Sequence, residues 1–186
     1  MVPEIGEKIK RCFVSLDLSR EAINEIIRIQ LLLKEKNFFV GKFTEPDNLH
    51  LTLKFLGEID ENKVNEVDNK LREIAFESFK ARLGNLGIFS GNDKMIIWVE
   101  LNKILELQKV VDGALKDIFK PESRFMSHVT IARVKLIADK KKFMGNLKNI
   151  KLNKVDFKID RFYLMESKLN FQGPVYSVIK KYNLKS

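Results

Sequence analysis

Two stretches of this chain, NLHLTLKFLGE at 48–58 and SHVTIARVK at 127–135, hold its only two histidines, and both read as β-strands. Each histidine is followed two places on by threonine: His50 by Thr52, and His128 by Thr130. Residues two apart on a strand project to the same face, so each stretch sets an imidazole beside a hydroxyl. Asp60 and Asp139, ten and eleven residues beyond their histidines, are placed to cap a following helix. Two such matching halves predict two lobes related by an approximate twofold axis. If that axis brings the two strands side by side, both imidazoles and both hydroxyls converge on one spot.

The rest of the chain fits this frame. RCFVSLDL (11–18) reads as a strand, and Ser19 can cap the helix that follows over 20–36. FFVGKF is a short extended piece and EPDN a turn. The strand at 49–56 is expected to end at Gly57. Val64, Val67, Leu71, Ile74 and Ala75 mark the apolar stripe of a second helix. FKARLGNLGIF and MIIWVEL flank SGND as a hairpin, with Trp98 assigned to the core. A third helix is expected over 103–120, stopped by Pro121, and a short fourth one over 139–147. Two strands separated by NFQG close the chain. Helices interleaved with hairpins point to an α+β fold with mainly antiparallel sheet rather than a doubly wound parallel one.

Composition narrows the function classes. The net charge of +9 is spread along the chain without a long basic block, which suits a groove for RNA or phosphate esters better than a charged tail. A solvated soluble surface is the plainer reading of the same charge. The single cysteine, Cys12, lies in an apolar run as a small core residue; with no intrachain disulfide possible, a reducing cytoplasm is expected. No signal-peptide pattern and no apolar run of membrane-spanning length is present. Neither GxGxxG nor GxxxxGK[ST] occurs, which argues against the usual nucleotide-dependent enzymes.

Histidine titrates near neutrality, with an ordinary pKa of about 6.5. A pair of them can act as base and acid in one reaction. Threonine hydroxyls can donate to non-bridging phosphate oxygens. In-line displacement at phosphorus needs a base behind the attacking water, an acid at the departing oxygen and donors for the equatorial oxygens. His50, His128, Thr52 and Thr130 supply each part with neither metal nor cofactor. A lone His-x-Thr is an ordinary strand fragment; the weight lies in the coincidence that the only two histidines both carry it. A metal site is the competing reading, and it needs an Asp or Glu from elsewhere, since each motif offers one ligand.

The pattern resembles the two-histidine (2H) phosphoesterase superfamily, and within it the RNA 2′,3′-cyclic phosphodiesterase branch, long labelled 2′-5′ RNA ligase. RCFVSLDLS resembles the opening strand of that branch, and NLHLTLKFLGE its first motif. SHVTIARV is similar to the second motif, and FYLMESKLNFQGPVYSVIKKYNL to its closing hairpin. The resemblance implies a single bilobal domain over 1–186, with two pseudo-symmetric lobes, helices outside and a central cleft. It also implies metal-independent hydrolysis of an RNA terminal 2′,3′-cyclic phosphate, on RNA ends that include tRNA or its fragments, by a monomer. In that scheme His128 accepts the proton of water, His50 protonates the departing 3′ oxygen, and Thr52 and Thr130 hold the phosphate. The resemblance ties Arg133 to the substrate, although simple alternation puts it on the face opposite His128, so a bulge or a long reach is required. Lys54 is expected on the face of His50, adding positive charge or lying solvated at the rim. Phe13 and Tyr176 are candidates for stacking on a base, with core packing as the alternative. Two other functions stay open: ATP-independent 2′-5′ RNA ligation, and an RNA-binding module that only grips a terminal phosphate.

Overall fold

The computed structural model describes residues 8–91, 95–171 and 173–186. In chain order they form β1 (Lys10–Asp17), α1 (Arg20–Lys36), β2 (Phe39–Phe43), a 3-10 turn (Pro46–Asn48), β3 (His50–Ile59), α2 (Glu61–Arg72), β4 (Phe79–Ser90), β5 (Met95–Asn102), α3 (Leu105–Ala114), β6 (His128–Ile137), α4 (Lys140–Lys148), β7 (Asp156–Ile159), β8 (Arg161–Asn170) and β9 (Gly173–Asn183). The three cap residues read from sequence do cap their helices. Ser19 Oγ accepts from the Ala22 amide, Asp60 Oδ1 from Lys63 and Asp139 Oδ1 from Lys142.

The strands form one sheet, in the order β7-β4-β5-β6-β3-β1-β8-β9, with β2 joining the free edge of β6. Every pairing between strands is antiparallel. The two halves meet at β3 and β6, where Leu51 pairs with Val129, the residues between each histidine and its threonine. Outward from that seam the order is β3, β1, β8 on one side and β6, β5, β4 on the other, which is the expected twofold relation. One sheet face is sealed by helices. Leu51 and Leu53 of β3 and Val129 and Ile131 of β6 lie in a single core cluster with Ile26, Ile29 and Leu33 of α1 and Leu107 and Val111 of α3. The other face carries the histidines and threonines.

Both seam strands bulge at the same point. On β3, Thr52 pairs with Ser15 and Lys54 with Val14, leaving Leu53 as an extra residue. On β6, Thr130 pairs with Trp98 and Ala132 with Ile97, leaving Ile131 extra. An extra residue reverses the alternation beyond it. The Ile131 bulge is pinned from α1: its carbonyl accepts from Gln30 Nε2 at 2.9 Å and from the Thr44 amide at 2.9 Å. Gly57 does not end β3. It sits at a second irregularity against β1 with φ of +79°, a conformation that favours glycine, and the strand continues to Ile59.

Several boundaries differ from expectation. α2 ends at Arg72, so Ile74 and Ala75 lie beyond it. α3 ends at Ala114 rather than near Pro121, and the chain beyond it turns back so that Asp112 accepts from the Glu122 amide at 2.9 Å. The closing segment breaks at Asp160 into β7 and β8. The hairpin read at SGND exists as the β4–β5 pair, but positions 92–94 of its tip lie outside the described residues.

Lys54 illustrates what the β3 bulge does. Its ammonium is paired with the Asp112 carboxylate of α3 and donates to the Lys120 carbonyl at 2.9 Å, with only 4% of its side chain exposed. Removing one partner of a buried pair strands the other charge, at a cost of about 3–5 kcal/mol. Asp112→Ala is therefore expected to lower the thermal midpoint by roughly 6–20 °C, at about 2–4 °C per kcal/mol for a chain of this size. A calorimetric shift under about 2 °C would mean that the pair is solvated and carries no such load.

Candidate active site

A cleft of about 710 Å³ opens along the seam, and His50, Thr52, His128, Thr130, Arg133, Phe13 and Tyr176 all line it. Lys54 does not. The expected placement beside His50 is corrected by the bulge at Leu53, which turns Lys54 down to α3 and brings Phe55 up to the cleft instead. The matching bulge at Ile131 delivers Arg133 to the cleft, so the face expected from plain alternation is reversed there too.

The two imidazoles are held alike. His50 Nδ1 lies 2.8 Å from the Asn48 carbonyl, and His128 Nδ1 lies 2.8 Å from the Met126 carbonyl, in each case two residues upstream. A carbonyl oxygen only accepts, so Nδ1 must carry a proton in both rings. That fixes the neutral tautomer and leaves Nε2 as the atom that gains or loses a proton.

Their walls differ in detail. The His50 ring packs against Phe13 at 5.0 Å between centroids and edge-on against Tyr176 at 4.9 Å, while Phe13 and Tyr176 touch each other at 5.1 Å. His128 meets the Phe89 ring edge-on at 4.8 Å and the Trp98 ring at 6.4 Å. Trp98, assigned to the core from sequence, is half-buried and props the second histidine. Gly87 makes this possible: a Cβ there would stand 2.1 Å from the indole ring. Phe13 is itself buried, so of its two sequence readings the packed one describes its place.

Burial lowers the His50 pKa, because it disfavours the imidazolium. The Asn48 carbonyl and Asp17 pull the other way, and His128 and Arg133 add to the depression. With two histidines in the chain, ring-proton NMR titration reads each directly. His50 is expected to titrate below the usual value of about 6.5. Tyr176→Ala, which admits water to one side of the ring, is expected to raise it, and Tyr176→Phe to leave it in place. A His50 titrating above the usual value would contradict this picture of its surroundings.

Cys12 is buried and free, with its thiol pushed up to about 11 by burial, as suits a packing residue. Among the described residues no group of three or more His, Cys, Asp or Glu side chains is assembled to hold a metal. No helix among them is long and apolar enough to cross a membrane. Phe55, Phe89 and the two upstream carbonyls escaped the sequence reading. Laying HLTLKF over HVTIAR would have found the first, since it matches Phe55 with Arg133.

A pseudo-twofold antiparallel sheet with two His-x-Thr strands meeting in one cleft defines a two-histidine phosphoesterase. The family model described as "LigT like Phosphoesterase" matches residues 16–98 and again 99–176, one copy per repeat. The chain belongs to that family. It is 33% identical over 177 residues to the RNA 2′,3′-cyclic phosphodiesterase of Methanocaldococcus jannaschii, covering 92% of this chain and 99% of the relative. It is also 33% identical to the Aquifex aeolicus protein of the same name, covering 95% and 98%. Among solved structures, a Thermus thermophilus protein aligns with a TM-score of 0.79 at 24% identity, over 95% of this chain and 98% of that one. E. coli LigT complexed with 3′-AMP aligns with a TM-score of 0.75 at 20% identity, over 96% and 100%. The last two similarities establish the shared fold.

Proposed function

We propose that this chain hydrolyses the 2′,3′-cyclic phosphate at an RNA end to a 2′-phosphomonoester, by proton transfer between two histidines and without a metal. The observation that carries the reading is the duplicated anchoring of His50 and His128, which leaves Nε2 of each ring as its proton-exchanging atom, in one cleft with two threonines and an arginine. The relatives named RNA 2′,3′-cyclic phosphodiesterase support the choice of substrate.

In this mechanism the neutral His128 Nε2 takes a proton from water as its oxygen bonds to phosphorus. The P–O3′ bond breaks, and protonated His50 gives its Nε2 proton to the departing 3′ oxygen. Thr52, Thr130 and Arg133 donate to the non-bridging oxygens, where charge accumulates. The cycle closes when His128 loses its proton and His50 regains one from solvent. Each copy of the chain holds both histidines, so a monomer acting in the cytoplasm is sufficient, with RNA ends such as those of tRNA fragments as substrates.

The test is turnover of an oligoribonucleotide bearing a 2′,3′-cyclic phosphate, with and without EDTA. Equal rates are expected. Binding without turnover would reduce the protein to an RNA-end-binding module, and loss of activity on chelation would replace the proton-transfer mechanism with a metal-dependent one.

A further inference from the structure

Gln30 is a polar side chain at an apolar position. It follows Ile26 by one helical turn on the buried face of α1, beside Ile29 and Leu33, and is itself buried. A buried amide has to find partners, and this one directs Nε2 at two main-chain carbonyls, Thr44 at 2.8 Å and Ile131 at 2.9 Å. Two acceptors around one nitrogen require an NH2 group there. Neither an ionised carboxylate nor an apolar side chain of the same size can replace it.

Both acceptors lie where the shape of the cleft is decided. Ile131 is the extra residue of the β6 bulge, unpaired opposite β5, and Thr44 directly follows β2 and lines the cleft. The Ile131 carbonyl also accepts from the Thr44 amide, so one side chain of α1 fastens the bulge and the end of β2 together. Two residues beyond the bulge, the restarted alternation turns Arg133 into the cleft. The β3 bulge is fastened by different chemistry: Lys54, next after its extra residue, pairs with Asp112 of α3. Gln30 does not line the cleft. We infer that Gln30 is a positioning residue for Arg133: its amide holds the β6 bulge in register, so that the guanidinium meets the non-bridging phosphate oxygens. This rests on the proposed hydrolysis, in which Arg133 donates to those oxygens.

The test is Gln30→Met, which keeps the length and apolar packing of the side chain but has no donor. With a cyclic-ended oligoribonucleotide, kcat/KM per folded molecule is expected to fall by about 10-fold or more, chiefly through kcat, a 1 Å misplacement being able to cost about 10²-fold. In the Arg133→Ala background the same substitution is expected to cost less than about 2-fold, because the group it positions is gone. Inorganic phosphate, titrated while the two histidine ring protons are followed by NMR, gives a readout without turnover. Gln30→Met is expected to weaken phosphate as Arg133→Ala does, and to add nothing in that background. Equal losses in both backgrounds, or lost thermal stability with turnover and phosphate binding kept, make Gln30 a framework residue only and overturn the inference. If the protein turns over no cyclic phosphate, the hydrolysis fails by itself and the phosphate titration decides for Gln30. Wild-type protein that neither turns over the substrate nor binds phosphate overturns both. Where Gln30→Met does not fold, Gln30→Asn, which withdraws the amide by one methylene, takes its place with the same outcomes.

Discussion

His50→Ala and His128→Ala are each expected to slow hydrolysis of a cyclic-ended RNA by about 10²–10⁴-fold, the usual worth of one positioned acid or base. Both groups act on one transition state, so the double variant should lose less than the product of the single losses. The pH profile separates their roles. Wild-type kcat/KM should be bell-shaped, because one imidazole must be neutral and the other protonated. The acidic limb belongs to the base: activity falls as pH drops and His128 becomes protonated, and His128→Ala should erase that limb. The alkaline limb belongs to the acid and disappears in His50→Ala. Burial sets the folded pKa of His50 below its ordinary value, so the protonated form is lost as pH rises through that lower pKa. In His128→Ala, where His50 alone shapes the profile, the remaining alkaline decline should therefore lie below the ordinary histidine value of about 6.5. Limbs erased in the opposite pairing would exchange the two roles, and an unchanged bell in both variants would remove acid–base catalysis by these residues.

Arg133→Ala should be next in size, at about 10²–10³-fold in kcat/KM, as for the loss of one donor aimed at developing charge. Arg133→Lys keeps the charge but not the planar fork, so only part of the rate should return. Thr52→Ala and Thr130→Ala should each cost less, since a neutral hydroxyl is the weaker donor. Arg133 is exposed on the cleft face, so its removal should leave the thermal midpoint nearly unmoved. Asp112→Ala, beneath the sheet, should show the reverse pattern, with lost stability and little direct effect on the chemistry. An Arg133 variant that loses stability instead of turnover would place that residue in the framework rather than on the substrate.

Much of the site was legible because the chemistry-bearing residues are few and repeated. Two histidines, each two places before a threonine, fix which side chains share a face wherever the strand alternates regularly, and His50, Thr52, His128 and Thr130 do line one cleft. Reading failed one residue further on. Regular alternation puts Lys54 with His50 and Arg133 against His128, and the bulges at Leu53 and Ile131 reverse both. A bulge depends on register against a neighbouring strand, here β1 and β5, and on contacts from another element, here Gln30 of α1 at the Ile131 carbonyl. None of these is local to the motif. The helix caps at Ser19, Asp60 and Asp139 were readable because a cap is settled within three residues. The end of α3 was not, because the apolar spacing of Ile104, Leu107, Val111, Ala114 and Ile118 runs on past Ala114, where the helix stops. Trp98 looked like a core residue by its apolar neighbours. Only the empty side of Gly87 on the paired strand shows that its ring has room to stand beside His128.

The most direct test of in-line attack by water with departure of the 3′ oxygen is one hydrolysis run in water enriched in heavy oxygen, with EDTA present, and the product analysed by phosphorus NMR and mass spectrometry. The two-histidine arrangement with His50 as acid predicts a 2′-phosphomonoester carrying one solvent oxygen on phosphorus and a free 3′ hydroxyl. A 3′-phosphomonoester, or a product without solvent oxygen on phosphorus, would contradict it.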